Sequence, residues 1–250
     1  MIPPILKRHL YRLLDRAYPA PGRIVNVGAH DRDQWIALKA AGLKQGARVL
    51  DTGAGQCPYR ELFRHCDYQT QDFSRYEGTK SGPMADQWRY GAIDYVCDIT
   101  SIPVPDGSFD AILCTEVLEH VPRPIDVLRE LGRILAPGGR LFLTAPLGSG
   151  LHQEPYHYYG GFTPHFYRKF LGELGMEIIE LKASGGLMKH VGQEVHRAGR
   201  LIEERAPVRL SLTARWILKH WLPRYLAGLD DEVMVAEFTV GYLVEARKTA

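Results

Sequence analysis

Ala47-Arg-Val-Leu-Asp-Thr-Gly-Ala-Gly-Gln-Cys-Pro-Tyr-Arg60 is the stretch that decides how this chain is read. Val49 and Leu50 belong to a short apolar run with the character of a buried strand, and Asp51 closes it. Thr52-Gly53-Ala54-Gly55 is a turn of small residues. Tyr59 to Arg64 is then expected to be helical, with Pro58 near its first turn. A strand, a glycine turn and a helix in that order bring backbone N–H groups up to a ligand, which suits a nucleotide-like cofactor.

The spacing narrows the choice. A dinucleotide fingerprint needs G-x-G-x-x-G after the strand, but here Gly53 and Gly55 are followed by Pro58. Asp51 stands immediately before the turn, where its negative charge repels a pyrophosphate and attracts an ammonium group. The cofactor expected is therefore cationic at this end and free of phosphate. S-adenosylmethionine, with an amino-acid tail, a sulfonium and a neutral adenosine, fits.

Composition bounds the rest. A chain of 250 residues with 45% hydrophobic and 24% charged residues supports one globular domain, with or without an appendage. A formal net charge of +2 is too small to argue for a nucleic-acid partner. Cys57, Cys66, Cys97 and Cys114 form no CxxC pair, so reduced packing cysteines and a cytoplasmic protein are expected. No apolar run approaches the roughly 20 residues of a membrane span. The first ten residues hold too short an apolar segment for a signal peptide.

Outward from the opening stretch, Ile5, Leu6, Leu10, Leu13 and Leu14 recur at helical spacing among Lys7, Arg8, Arg12 and Arg16. This basic amphipathic segment suits a flanking helix, with peripheral membrane contact as its other use. A second helix is expected over Asp33–Ala41. Tyr68–Phe73 reads as a second strand ending at Asp72, about 20 residues beyond the glycine turn, the separation at which an acid reaches a ribose hydroxyl pair. Residues 74 to 92 read as loop. Ile93–Asp98 reads as a third strand, Phe109–Thr115 as a fourth and Arg140–Ala145 as a fifth. Between the last two, Pro124–Leu135 carries an apolar helical face that Pro137-Gly138-Gly139 ends. Asp98 can accept from an adenine amine, with Phe73 and Ile99 against the ring. Strands alternating with helices predict a parallel sheet covered on both faces, with the ligand beyond the strands' carboxyl ends.

With VLDTGAGQ at 49–56, Asp72, Asp98-Ile99, LCTEVLEHV at 113–121 and LAPGGRLFLTAP at 135–146, the chain resembles the class I S-adenosylmethionine-dependent methyltransferases, in particular the small-molecule group related to ubiquinone-biosynthesis methyltransferases. The resemblance implies an α/β, Rossmann-like seven-stranded sheet, mostly parallel with an antiparallel last strand. Met176–Leu181 would be its sixth strand and Phe238–Ala246 its reversed seventh. It implies that Asp51, Gly53, Ala54 and Gly55 surround the methionine tail. Asp72 would take the ribose, Asp98 with Ile99 the adenine, and Thr115 with Glu116 the sulfonium side. S-adenosylhomocysteine would be the product. All 250 residues are read as a single domain: helices over 1–45, the cofactor core over 46–146, and the substrate loop, a helical insertion and the last strands over 147–250.

Substrate choice is expected in Pro146–Phe162, PLGSGLHQEPYHYYGGF, which follows the fifth strand. It resembles H-x-E-P-x-D-Y-Y-R-Y-T loops of methyltransferases encoded with polysaccharide and secondary-metabolite enzymes, with His157 replacing the Asp and Gly160 or Gly161 the Arg. Methyl transfer to a hydroxyl needs a proton acceptor, and His152 or His157 is the candidate base. His120 reads as a structural hydrogen-bonding residue. No HxxxH or HxH spacing occurs, so no metal is expected. Between Gly186 and Asp230 two helical segments with Trp216, Trp221 and Tyr225 suit a lid or a homodimer surface. Arg209, Arg215, Lys219 and Arg224 give them a basic face. The function expected is methyl transfer to a small-molecule acceptor, at a hydroxyl oxygen of a sugar or secondary metabolite. An NAD-type oxidoreductase, a nucleic-acid methyltransferase and a non-catalytic binding module are the rivals.

Overall fold

The computed structural model describes residues 22–78, 88–205 and 210–249, together with residues 10, 13, 16 and 17. The basic helix expected near the N-terminus falls almost wholly outside these residues. The chain divides into two compact units, one made of residues 32–184 and 241–250, the other of residues 1–31 and 185–240.

The first unit holds a seven-stranded sheet in the order β3-β2-β1-β4-β5-β7-β6. Its strands are β1 (Arg48–Thr52), β2 (Asp67–Asp72), β3 (Tyr95–Val96), β4 (Phe109–Thr115), β5 (Leu135–Pro146), β6 (Met176–Ser184) and β7 (Gly241–Lys248). The first five pair in parallel, whereas β7 runs antiparallel to both β5 and β6, as expected. The centre of the sheet is apolar on both faces because helices cover both. Helix Pro124–Ile134 buries Val127, Leu128 and Leu131 against Ile112, Leu141 and Val244. On the other face helix Val27–Ala41 buries Trp35, Ile36 and Ala40 against Val49, Leu113 and Phe142.

Several boundaries differ from those read in the sequence. The helix expected over Tyr59–Arg64 is a single 3-10 turn, Arg60–Phe63. Gly55 and Cys57 both take left-handed φ, +53° and +56°, so the chain does not enter a regular α-helix directly from the glycine turn, and β2 starts at Asp67. A turn so short has almost no macrodipole, a further obstacle to phosphate binding here. β3 shrinks to Tyr95–Val96 because the Asp94 carboxylate intervenes, accepting from Thr70 N and Thr70 Oγ1, both at 2.9 Å. Pro137-Gly138-Gly139 lies inside β5 as a bulge: Phe109 pairs with Leu135 and Ala111 with Arg140, so three residues of β4 face six of β5.

The second unit is helical: Leu187–Arg205, Leu212–Trp216, a π-helical turn Ile217–Trp221 and Leu222–Glu232. Asp230 holds its entry, accepting from Gly186 N at 2.8 Å and Met188 N at 3.1 Å. Of the basic residues expected here, Arg209 lies outside the described residues and Arg224 is half-buried, donating to His220 O at 2.7 Å. Arg215 is buried and paired with Glu203, which also accepts from Lys219 Nζ at 3.0 Å. Trp216, Trp221 and Tyr225 stack in a row, since the extra residue of the π-turn brings Trp221 under Trp216. Among the described residues no helix is long and apolar enough to cross a membrane.

One polar cluster ties helix Val27–Ala41 to the antiparallel edge. Lys39 Nζ lies 2.6 Å from both Glu180 Oε2 and Glu245 Oε2, and Arg140 Nε lies 2.7 Å from Glu245 Oε1. Glu245 is 6% exposed, so its ionisation depends on these cations, and both glutamates titrate below their usual range despite the burial that opposes it. Lys39→Met is therefore expected to lower stability at pH 7 by about 1–3 kcal/mol. Carboxylates held below their unfolded value stabilise above that value and lose the effect as pH falls through the folded one, so the gap between wild type and variant should close below about pH 4. Urea melts of both proteins across pH measure it.

Candidate functional site

A cavity of about 470 Å³ opens at the carboxyl ends of β1, β2 and β4. Asp51, Gly53, Ala54, Gly55, Asp72, Phe73, Asp98, Ile99, Thr115 and Glu116, the residues assigned to the cofactor in the sequence, all line it.

The glycine turn is built on contact as well as conformation. Gly53 has φ +64°, and a Cβ there would lie 2.4 Å from Val117 Cγ2. Gly55 has φ +53°, and a Cβ would lie 2.8 Å from the Trp88 ring. The peptide groups of the turn are tied to β2: Ala54 N donates to Gln71 O at 3.0 Å and Gly55 N to Asp72 Oδ2 at 2.9 Å. Asp72 Oδ1 accepts from Ser74 N at 2.8 Å. Both oxygens of Asp72 are thus fixed by backbone, and each keeps a lone pair for a ligand hydroxyl. Asp98 Oδ1 accepts from Thr100 N and Thr100 Oγ1 at 2.9 and 2.7 Å, which holds its carboxyl below the usual range.

Asp51 is 1% exposed, and its Oδ2 accepts from the Tyr68 hydroxyl at 2.5 Å. Burial pushes its carboxyl up to about 7, against the pull of the Tyr68 bond. Glu116, at φ +53°, is a non-glycine residue in the left-handed region, a strain that a packed site sustains. Its Oε1 accepts from Thr144 Oγ1 at 2.8 Å and its Oε2 lies 3.5 Å from Arg32 Nη1. Arg32 also donates to the Tyr59 hydroxyl at 2.9 Å, which in turn donates to Asp33 at 2.8 Å.

Neither His152 nor His157 lines the cavity. His120 does, and the other two stand against it, with ring centres 4.8 Å (His152) and 5.8 Å (His157) from its own. His120 Nδ1 is 2.8 Å from Tyr156 O, the structural bond expected of it, and burial lowers its pKa to about 4. The loop after β5 is anchored on this turn: Tyr158 N and Tyr159 N donate to Glu119 O at 2.9 and 3.2 Å, and the Tyr159 hydroxyl to Pro122 O at 3.0 Å.

Tyr156 and Tyr158 line the cavity from the Pro146–Phe162 loop expected to choose the substrate, whereas Arg32, Tyr76, Trp88 and Tyr90 were not anticipated. The signal for Tyr156 and Tyr158 was their place after the fifth strand, since β4 and β5 are neighbours and the loops that leave their ends meet. Arg32 sits inside a helix and Trp88 inside a stretch without periodicity, so neither had one.

A family model described as a methyltransferase domain matches residues 12–178. A ubiquinone biosynthesis O-methyltransferase of Xanthomonas oryzae is 35% identical over 108 residues, 40% of this chain and 43% of that protein. The Xanthomonas campestris protein of the same name is 31% identical over 122 residues, 45% of this chain and 48% of that one. The matched stretch spans less than half the length of these curated relatives. Among solved structures, the cyclase SpnF superposes with TM-score 0.52 at 19% identity, over 93% of this chain and 86% of its own. A SAM-dependent methyltransferase of Methanosarcina mazei gives TM-score 0.50 at 15% identity, over 85% and 97%. At these identities the superpositions establish the fold, which hosts a cyclase as well as methyltransferases. The family model covers two thirds of the sequence, glycine turn and acidic strand ends included, and the chain belongs to the methyltransferase-domain family.

Proposed function

We propose that this protein transfers a methyl group from S-adenosylmethionine to a small-molecule acceptor, at a hydroxyl oxygen of a sugar or secondary metabolite. One observation carries this: three carboxylates, Asp51, Asp72 and Asp98, lie along one cavity that starts at a glycine turn. The residues present fit that cofactor. Asp51 is a buried carboxylate that ionises fully only when a cation arrives, and an amino-acid ammonium supplies one. Asp72 presents two fixed oxygens to a ribose diol, and Asp98 beside Ile99 accepts from an adenine amine. When bound, S-adenosylmethionine contributes an electrophilic methyl.

The chain's own part is then positioning, water exclusion and proton removal. Tyr156 and Tyr158, from the loop after β5, line the cavity and bear on the acceptor. The acceptor's proton leaves toward His120 and the imidazoles behind it, with His152 or His157 as its final holder. The name O-methyltransferase carried by the Xanthomonas proteins supports oxygen as the acceptor atom. Family membership also disfavours an oxidoreductase.

Asp51 makes the cofactor's affinity depend on pH. Its pKa of about 7 means that binding an ammonium at lower pH first requires loss of a proton. Affinity for S-adenosylhomocysteine is therefore expected to rise by up to about tenfold per pH unit as pH increases toward 7, then level off. Asp51→Asn should flatten that profile and weaken binding above pH 7, as calorimetry at several pH values would register; a wild-type profile flat from pH 5 to 8 would contradict the role given to Asp51. For the reaction, labelled S-adenosylmethionine is offered with pooled glycans and metabolites. The label is expected on a hydroxyl oxygen of one acceptor, and transfer only to nitrogen or carbon would overturn the oxygen assignment. With that acceptor, replacing both His152 and His157 by Gln should slow single-turnover transfer by roughly 100-fold or more; an unchanged rate would remove them as proton acceptors.

A further inference from the structure

Beside the cavity, side chains from two loops converge in a way that methyl transfer alone does not require. Glu119 and His120 belong to the 3-10 turn Leu118–His120 after β4. His152 and His157 come from the loop after β5, and their ring centres are 4.5 Å apart. Because β4 and β5 pair, their carboxyl ends deliver both groups to one place.

The tautomers follow from the backbone. His120 Nδ1 lies 2.8 Å from Tyr156 O and His152 Nδ1 2.8 Å from Gly150 O. A carbonyl only accepts, so in each ring Nδ1 carries the hydrogen and Nε2 keeps a lone pair. The Nε2 atom of His120 is buried with no hydrogen-bond partner. So is Oε2 of Glu119, a residue only 1% exposed. One ligand atom each from Glu119, His120 and His152 lie within 4.8 Å of one another. Glu116 takes no part, being committed to Thr144 and Arg32.

Buried acceptors without donors are costly to a fold, and a cation removes the cost at once. Imidazoles whose second nitrogen is pinned to a backbone carbonyl are the usual outer support of metal-binding histidines. Two imidazoles and one carboxylate suit zinc or another first-row divalent ion better than magnesium or calcium, which take oxygen sets. We propose that Glu119, His120 and His152 form a binding site for a divalent transition-metal ion of the zinc class. Bonds of about 2.1 Å in a tetrahedron separate ligand atoms by roughly 3.4 Å, so the His152 loop closes inward by about 1 Å when the ion binds. Three protein ligands leave one position open for water or, where the methyl-transfer reading holds, an acceptor oxygen at the cavity wall that His120 lines. A hydroxyl on that position gives up its proton more readily, and His157, which stands outside the ligand set with its Nε2 3.1 Å from Ser149 Oγ, takes it.

The test uses the full, tag-free chain, stripped with a chelator and titrated with zinc chloride by calorimetry, then with cobalt chloride by visible absorption. One saturable ion per chain is expected, with cobalt bands of low-coordinate nitrogen and oxygen ligation. His152→Ala, on the loop and away from the cofactor set, should weaken zinc by at least about 100-fold, the upper range for loss of even an outer partner of a ligand. Glu119→Gln should do the same, and His157→Ala should bind as wild type does. Zinc should raise the Tm of wild type and leave that of His152→Ala unchanged. Absence of saturable binding, or equal affinity in His152→Ala, would overturn the site. S-adenosylhomocysteine titrated into His152→Ala separates the two proposals: retained affinity shows an intact cofactor pocket, whereas a wild type that binds zinc but no S-adenosylhomocysteine would sink the methyl-donor reading alone.

Discussion

Asp51 and Tyr68 make the contact on which the site depends: a carboxylate 1% exposed, bonded at 2.5 Å to a phenol and ion-paired to nothing among the described residues. A buried carboxylate is tolerated when it is neutral, hydrogen-bonded or matched by a cation. Here it sits at the end of β1, under a turn whose glycines cannot accept side chains, so a ligand can approach it closely. The same burial that raises its pKa makes an arriving ammonium worth more than it would be in water. Asp72 and Asp98 answer a different need. Both are fixed by backbone N–H groups and offer lone pairs of settled direction.

The parallel order of β2, β1, β4 and β5 turns these separate residues into one site. Each strand ends on the same edge, so whatever follows it in sequence is delivered to that edge. This applies equally to the second cluster. The EVLEH turn after β4 and the loop after β5 are 27 residues apart at their nearest ends, His120 to Leu147, yet they share hydrogen bonds because their strands are neighbours. A loop pinned to Glu119 O by two peptide N–H groups can vary its side chains without losing its place. Acceptor choice in this fold can therefore change while the cofactor edge stays constant.

Sheet and cofactor edge were legible because buried strands and glycine turns leave short-range signals. β4 was placed to the residue and Asp72 was read correctly as the end of β2, whereas β1 runs one residue past Asp51 to Thr52. Legibility failed where long-range contacts decide. The bulge in β5 follows from its register with β4, and the two-residue β3 from one Asp94 side chain. Two of the basic residues expected on the insertion's face are spent inward for a related reason: charge counts do not reveal that Arg215 and Lys219 share Glu203. Spacing rules for metal ligands also look along one segment, whereas Glu119, His120 and His152 meet only through strand pairing.

The central claim is that this acidic edge holds a cationic, phosphate-free adenosyl compound. Its most direct test is a crystal structure of the protein soaked with S-adenosylhomocysteine. The account predicts the amino group within hydrogen-bond reach of Asp51, the ribose diol on Asp72, and the adenine beside Asp98 and Ile99. A ligand lodged elsewhere, or one lying in this cavity with its ribose and adenine turned away from Asp72 and Asp98, would contradict it.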